Sequence, residues 1–126
     1  MNVVMLTGRL TRDPEVRSLA SGKIVTTFTL QVDSTDRSSA DGLVQSHTEF
    51  TNIVVWDRLA EVSGTYLGKN QQVAVRGHLQ TRSWDDERNQ RHWKTEVVAD
   101  EIQMLTGRRT KQYREAVAAA ESKAIA

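Results

Sequence analysis

Apolar residues recur at every second position in five separate runs of this chain, and helical spacing interrupts them only once. Period two sends alternate side chains to opposite faces of a strand, whereas a period near 3.6 gathers them on one side of a helix. The order of the runs therefore restricts the fold more than any composition figure. Val4, Leu6, Gly8 and Leu10 alternate with Met5, Thr7 and Arg9. Asp13-Pro14, with the only proline, and Ser21-Gly22 are turn signals. Ile24, Thr26, Phe28, Leu30 and Val32 then alternate with Val25, Thr27, Thr29 and Gln31, in a β-branched run that puts Phe28 and Leu30 on a core face. Residues 33–46, rich in Ser, Asp and Gly, read as a long flexible loop. A third strand covers about 47–56, with Phe50, Asn52, Val54 and Trp56 on one parity and Thr51, Ile53 and Val55 on the other.

The period then changes. Leu59, Val62, Tyr66 and Leu67 stand at helical spacing behind Asp57, a candidate N-cap, and ahead of Gly68, a candidate C-terminal stop, with Gly64 weakening the middle. A fourth strand over about 72–84 has Val73, Val75, Gly77 and Leu79 on one face and Arg76, His78, Gln80, Arg82 and Trp84 on the other. Asp85 to Gln90 form a charged hairpin tip. A fifth strand over about 92–99 carries Trp93, Thr95 and Val97, and Ile102, Met104 and Leu105 extend it or form a sixth. Beyond Gly107, a weak stripe of Tyr113, Ala116, Val117 and Ala120 predicts a helix over about 110–123. A mainly β chain with one helix between strands three and four fits an OB-fold, a five-stranded antiparallel Greek-key barrel. A small α+β sandwich has the same string. The expected organisation is one domain over residues 1–107 and a helical or partly disordered tail over 108–126.

Several classes of function lose support. There is no cysteine, so disulfides and thiolate metal sites are excluded. No apolar run approaches the roughly 20 residues of a membrane span. The N-terminus has no basic region ahead of its apolar residues and no cleavage-like site, so a cytoplasmic protein is expected. Gly22-Lys23 lacks an upstream glycine at phosphate-loop spacing, and no hydrolase or zinc-protease motif occurs. His47, His78 and His92 are too scattered for a usual metal set, and Asp85-Asp86-Glu87 reads as a solvated turn. No enzyme, cofactor or metal is expected.

The aromatics point elsewhere. Phe50, Trp56, Trp84 and Trp93 lie in strands among arginine, lysine and polar residues rather than among aliphatics. Such faces suit stacking of unpaired bases with cations on the phosphates, although a Trp at a strand end also serves a core or an interface. Trp93, sharing parity with Val97, fits packing and ligand contact equally. Residues 1–107 hold 12 Lys and Arg against 14 Asp and Glu, a net of −2, so recognition must rest on where cations sit and not on their excess. Three stacks at roughly 1–3 kcal/mol each fall short of the ~12 kcal/mol of a nanomolar complex. Phosphate contacts and several copies of the site would supply the rest.

In order and spacing, Leu6-Thr7-Gly8-Arg9-Leu10, Asp13-Pro14-Glu15-Val16-Arg17, Val54-Val55-Trp56-Asp57-Arg58-Leu59-Ala60-Glu61, Tyr66-Leu67-Gly68-Lys69, Gln80-Thr81-Arg82-Ser83-Trp84 and Thr95-Glu96-Val97-Val98 resemble the bacterial single-stranded DNA-binding proteins, a homotetrameric OB-fold family. The resemblance covers about residues 1–107. It implies sequence-nonspecific binding of single-stranded DNA in replication, recombination and repair, at the nucleoid. Phe50, Trp56, Trp84 and Trp93 match its stacking positions, and Arg17, Arg58, Lys69 and Arg82 match basic ones. Arg76 joins them from its strand parity. The family's tetramer implies pairing of the first strand with its copy, through Val3, Met5, Thr7 and Arg9. Two departures stand out. Asp36 lies where the family often has a further stacking Trp. The chain ends Glu121-Ser122-Lys123-Ala124-Ile125-Ala126, without the family's acidic tip that recruits replication and repair proteins, as expected of a truncated form, a short paralogue, or a plasmid or phage form. A primosome-type adaptor of the same fold and an RNA-binding module are the alternative readings.

Overall fold

Two long hairpins make up most of the molecule. The computed structural model describes residues 1–36, 42, 44–107 and 109–125. The first hairpin joins β3 (Ile24–Asp36) to β4 (Gln45–Trp56), in continuous register from Val25↔Trp56 to Asp36↔Gln45. The second joins β5 (Gln72–Asp85) to β6 (Arg91–Met104), from Val73↔Met104 to Asp85↔Arg91. β1 (Val4–Leu10) lies along β5 and pairs with β3 only at Arg9↔Gln31 and Leu10↔Leu30. The hairpins meet side by side through two parallel rungs, Ile53↔Val97 and Val54↔Val98. The ring β1-β5-β6-β4-β3 is thereby closed, with β2 (Glu15–Ser18) added outside β3. This is the expected OB barrel, with one seam parallel rather than antiparallel.

The inward parity fills the barrel as the alternation requires. Leu10, Phe28, Leu30, Ile53, Val55, Val73, Val75, Val97, Ile102 and Met104 are all buried. At Gly77 the ladder skips Asp100, and a Cβ there would collide with the Val98 carbonyl, so this strand crossing needs glycine. Helix α1 (Asp57–Tyr66) follows β4 and packs on β3, where the buried Thr26 hydroxyl donates to the Ala60 carbonyl at 2.7 Å. Helix α2 (Thr110–Ile125) packs on α1 and β6. Its anchor is Tyr113, which is buried, meets Tyr66 edge-on at 6.4 Å, and donates its hydroxyl to the Ile102 carbonyl at 2.6 Å.

Several expectations need correction. Residues 33–46 are not all loop: β3 continues to Asp36 and β4 begins at Gln45, because the polar side chains still ladder, as in the Thr48 hydroxyl donating to Asp33 at 2.9 Å. Residues 37–41 and 43 of that segment lie outside the described residues, as does the side chain of Asp36. Asp57 is not the N-cap. It is the first residue of α1, at φ 60, and the cap position falls to Trp56 with no side-chain bond. Gly68 does not close α1 in a left-handed turn. Leu67 leaves the helix extended, the Gly68 N–H donates to Gln71 Oε1 at 2.7 Å, and Asn70 takes the positive φ of 72. Gly64 has a packing reason, since a Cβ there would overlap the Val16 side chain of β2. Ile102 and Met104 extend β6, which ends before Leu105.

Candidate nucleic-acid interface

Beyond the barrel both hairpins run on as arms, and their outward parities form one continuous face. The β3–β4 arm contributes Phe50, Asn52, Val54 and Trp56. The β5–β6 arm contributes Gln80, Arg82 and Trp84 with their cross-strand partners Glu96, Lys94 and His92. The parallel rung Val54↔Val98 sets the two halves on the same side. β2 adds a wall: Arg17 stands opposite Val25, and Val25 opposite Trp56, so the cation lies two strands from the indole on the same face. The groove so formed is lined by Trp56, Asn52, Arg17, Arg82, Lys94 and Glu96, among others. Its charged lining is four cations (Arg12, Arg17, Arg82, Lys94) and three carboxylates (Asp13, Glu15, Glu96). That near balance agrees with the net charge of the body and leaves recognition to placement.

The aromatic platforms differ in setting. Trp56 is 39% exposed, with its body against the barrel, while Phe50 is 64% exposed on the arm. Trp84 is 41% exposed and already engaged: Arg82 Cζ lies 4.7 Å from its ring centroid, and His92 stacks on it at 5.7 Å with planes 23° apart. His92 is held in turn by Asp86, whose Oδ2 lies 2.7 Å from Nε2 and whose Oδ1 accepts the Arg88 and Gln90 amides. The His92 bond and those amides hold the Asp86 carboxyl below its ordinary range. Trp93 pairs with Ser83, on the opposite face of the arm from Trp84, and at 67% exposed it is not buried in the single chain. Leu79 shares that parity and is 49% exposed rather than core, although its cross-strand partner Val97 is buried.

The remaining sequence-predicted residues are dispersed. Arg58 lies on α1 and donates to the Ala120 carbonyl of α2 at 3.2 Å. Lys69 follows α1, where its amide donates to Asp13 Oδ1 at 2.9 Å. Arg76 pairs with Glu101 at 3.2 Å and sits in register with Met5, beside β1 rather than in the groove. Val3, Met5, Thr7 and Arg9 form an exposed row, with Met5 75% exposed. Along Val4 to Gly8, β1 pairs with β5 on one side, and among the described residues its other edge takes no strand. Asn2 prolongs that pairing through two 2.9 Å bonds with the Leu79 backbone. Sequence reasoning missed Glu96, Lys94, Gln80, Arg12 and the stacking of His92. The outward parity of β6, read against that of β5, would have found four of these five.

Comparison with known proteins agrees with this geometry. The profile of the single-strand binding protein family matches residues 1–105. A single-stranded DNA-binding protein of Caldanaerobacter subterraneus subsp. tengcongensis is 46% identical over 105 residues, spanning 83% of this chain and 68% of the relative. Single-stranded DNA-binding protein 1 of Chlorobaculum tepidum is 44% identical over 106 residues, spanning 83% of this chain and 65% of the relative. Among solved structures, a Plasmodium falciparum SSB in complex with ssDNA superposes with a TM-score of 0.76 at 30% identity, covering 84% of this chain and 96% of that one.

Proposed function

The chain belongs to the single-strand binding protein family, and from that membership we propose that its groove binds single-stranded DNA without sequence preference, in replication, recombination and repair. The observation that carries the reading is the single face on which Phe50, Trp56 and Trp84 alternate with Arg17, Arg82 and Lys94. A base laid on Trp56 would hold its phosphates near Arg17, and one laid by Trp84 would hold them near Arg82 and Lys94. Flat indoles accept any base, so the preference among sequences is weak. Nothing in this role calls for bond making, and the protein is read as a binder rather than an enzyme. Residues 1–107 are the DNA-binding unit and 108–126 an appended segment. The exposed β1 row and its unpaired edge support a homotetramer built through Val3, Met5, Thr7 and Arg9, in which several grooves act on one strand. Among the described residues no helix is long and apolar enough to cross a membrane, and a nucleoid-associated location follows from the DNA. The adaptor alternative draws no support from the groove, because protein contact alone does not need aromatics beside cations.

Titration with oligo-dT at low salt tests this directly. Intrinsic Trp fluorescence is expected to fall, and binding to weaken as salt rises. Trp56→Ala and Trp84→Ala should each cost about 1–3 kcal/mol of binding, and Trp93→Ala distinctly less, since it lies on the other face. Absence of quenching by long oligo-dT would sink the reading.

A further inference from the structure

Glu96 is an oddity in a groove for a polyanion. Among the Asp, Glu, Lys, Arg and His residues described it is the one that is buried, at 9% exposed, and it lies in the groove lining. Coulomb repulsion alone would exclude a carboxylate from such a place. Its contacts explain it. Oε1 accepts the Arg82 Nε–H at 2.8 Å, and Oε2 lies 3.8 Å from Lys94 Nζ. Arg82 and Lys94 are direct cross-strand partners, so one carboxylate reaches both. Arg82 is then gripped twice, at Nε by Glu96 and through Cζ by the Trp84 ring at 4.7 Å. Among the described residues its two terminal nitrogens take no partner.

We propose that Glu96 is a positioning residue for single-strand binding: it fixes Arg82 by the inner edge of the guanidinium, so that the outer N–H groups face the strand and Trp84 is held in its stacking pose. The proposal rests on the groove being the single-strand site. A guanidinium suits this task because it bonds through Nε while presenting a separate fork to phosphate, which an ammonium cannot do. The triad of Glu96, Arg82 and Lys94 carries a net charge of +1, and ordering it in advance lowers the entropy lost when the strand arrives.

The test turns on a sign. Glu96→Gln keeps the shape and removes a negative charge from the groove. Charge counting alone predicts tighter binding, as it does weakly for the charge-matched control Glu61→Gln on exposed α1. Positioning predicts weaker binding of oligo-dT by Glu96→Gln, about fivefold to tenfold for trading a charge-assisted bond for a neutral one. It also predicts a salt slope shallower by about 0.7, one phosphate contact. The Arg82 Nε–H resonance, protected in the wild type, should broaden or vanish. Arg82→Lys should lose as much, and the double variant no more than the worse single one. If Glu96→Gln does not fold, Arg82→Lys carries the test, and retained affinity and slope overturn the proposal. Wild-type protein that fails to bind oligo-dT removes the groove reading and Glu96 with it. Wild-type binding together with unchanged or tighter binding by Glu96→Gln removes the Glu96 proposal alone.

Discussion

Tyr113→Phe offers a test in which size and sign both follow from the structure. The Tyr113 side chain is buried, edge-on to Tyr66 at 6.4 Å, with its hydroxyl donating to the Ile102 carbonyl at 2.6 Å. Phenylalanine keeps the ring and its packing and removes one buried hydrogen bond. The cost is about 1–3 kcal/mol at neutral pH, and each kcal/mol lowers Tm by about 3–6 °C in a domain of this size. The alkaline limb adds a second signature. Burial, and secondarily the charge of Glu101, push the Tyr113 phenol well above its ordinary 10.0. Above that pH the unfolded chain surrenders the proton and the folded one keeps it. The unfolded state then binds fewer protons, so this contribution is whole below pH 10.0 and is lost as pH rises beyond it. The loss approaches about 1.4 kcal/mol per pH unit. Phenylalanine has no proton to lose, so the gap between the two proteins should close within about one to two units above that point. Urea denaturation at fixed protein concentration, near neutral pH and about one unit above the phenol's ordinary value, measures both. No gap at neutral pH, or a gap that stays constant into the alkaline range, would refute the anchoring of α2 through this hydroxyl.

Two further outcomes are expected. Gly64→Ala should destabilise by about 1–3 kcal/mol through overlap with Val16, despite a helix-propensity gain of up to about 1 kcal/mol; thermal melts of Gly64→Ala with and without Val16→Ala check this, and the double variant should recover most of the loss. The lowered Asp86 carboxyl should keep the β5–β6 turn ordered above pH 3.8 and release it as the pH falls through the lower folded value; the Arg88 and Gln90 amide protons should lose protection there, and persistence of that protection in Asp86→Ala would contradict it.

Much of this was legible in the sequence where burial imposes a period. Phe28, Leu30, Ile53, Val73, Val75 and Val97 occupy the core faces their alternation assigns. β2 was not legible, because Glu15–Ser18 is exposed throughout and is a strand only by pairing with β3. The arms were half legible: a polar ladder such as Asp33 with Thr48 has a loop's composition and a strand's geometry. Trp93 shows the converse, an apolar residue on the inward parity of an arm that has left the barrel, and Leu79 stays half exposed opposite the buried Val97. Glu96 could not be found by composition, since its role depends on the register that sets Arg82 opposite Lys94.

The seam between the hairpins has a consequence of its own. Only Ile53↔Val97 and Val54↔Val98 join β4 to β6, while each hairpin is laddered along its length. Amide exchange should therefore divide the barrel into two cooperative halves, with the seam as the place where they part first. The groove straddles that seam. A strand lying across Trp56 on one side and Trp84 on the other would act as a removable staple. Saturation at 100 times Kd would add about 2.7 kcal/mol against unfolding, and the seam amides would gain the most protection.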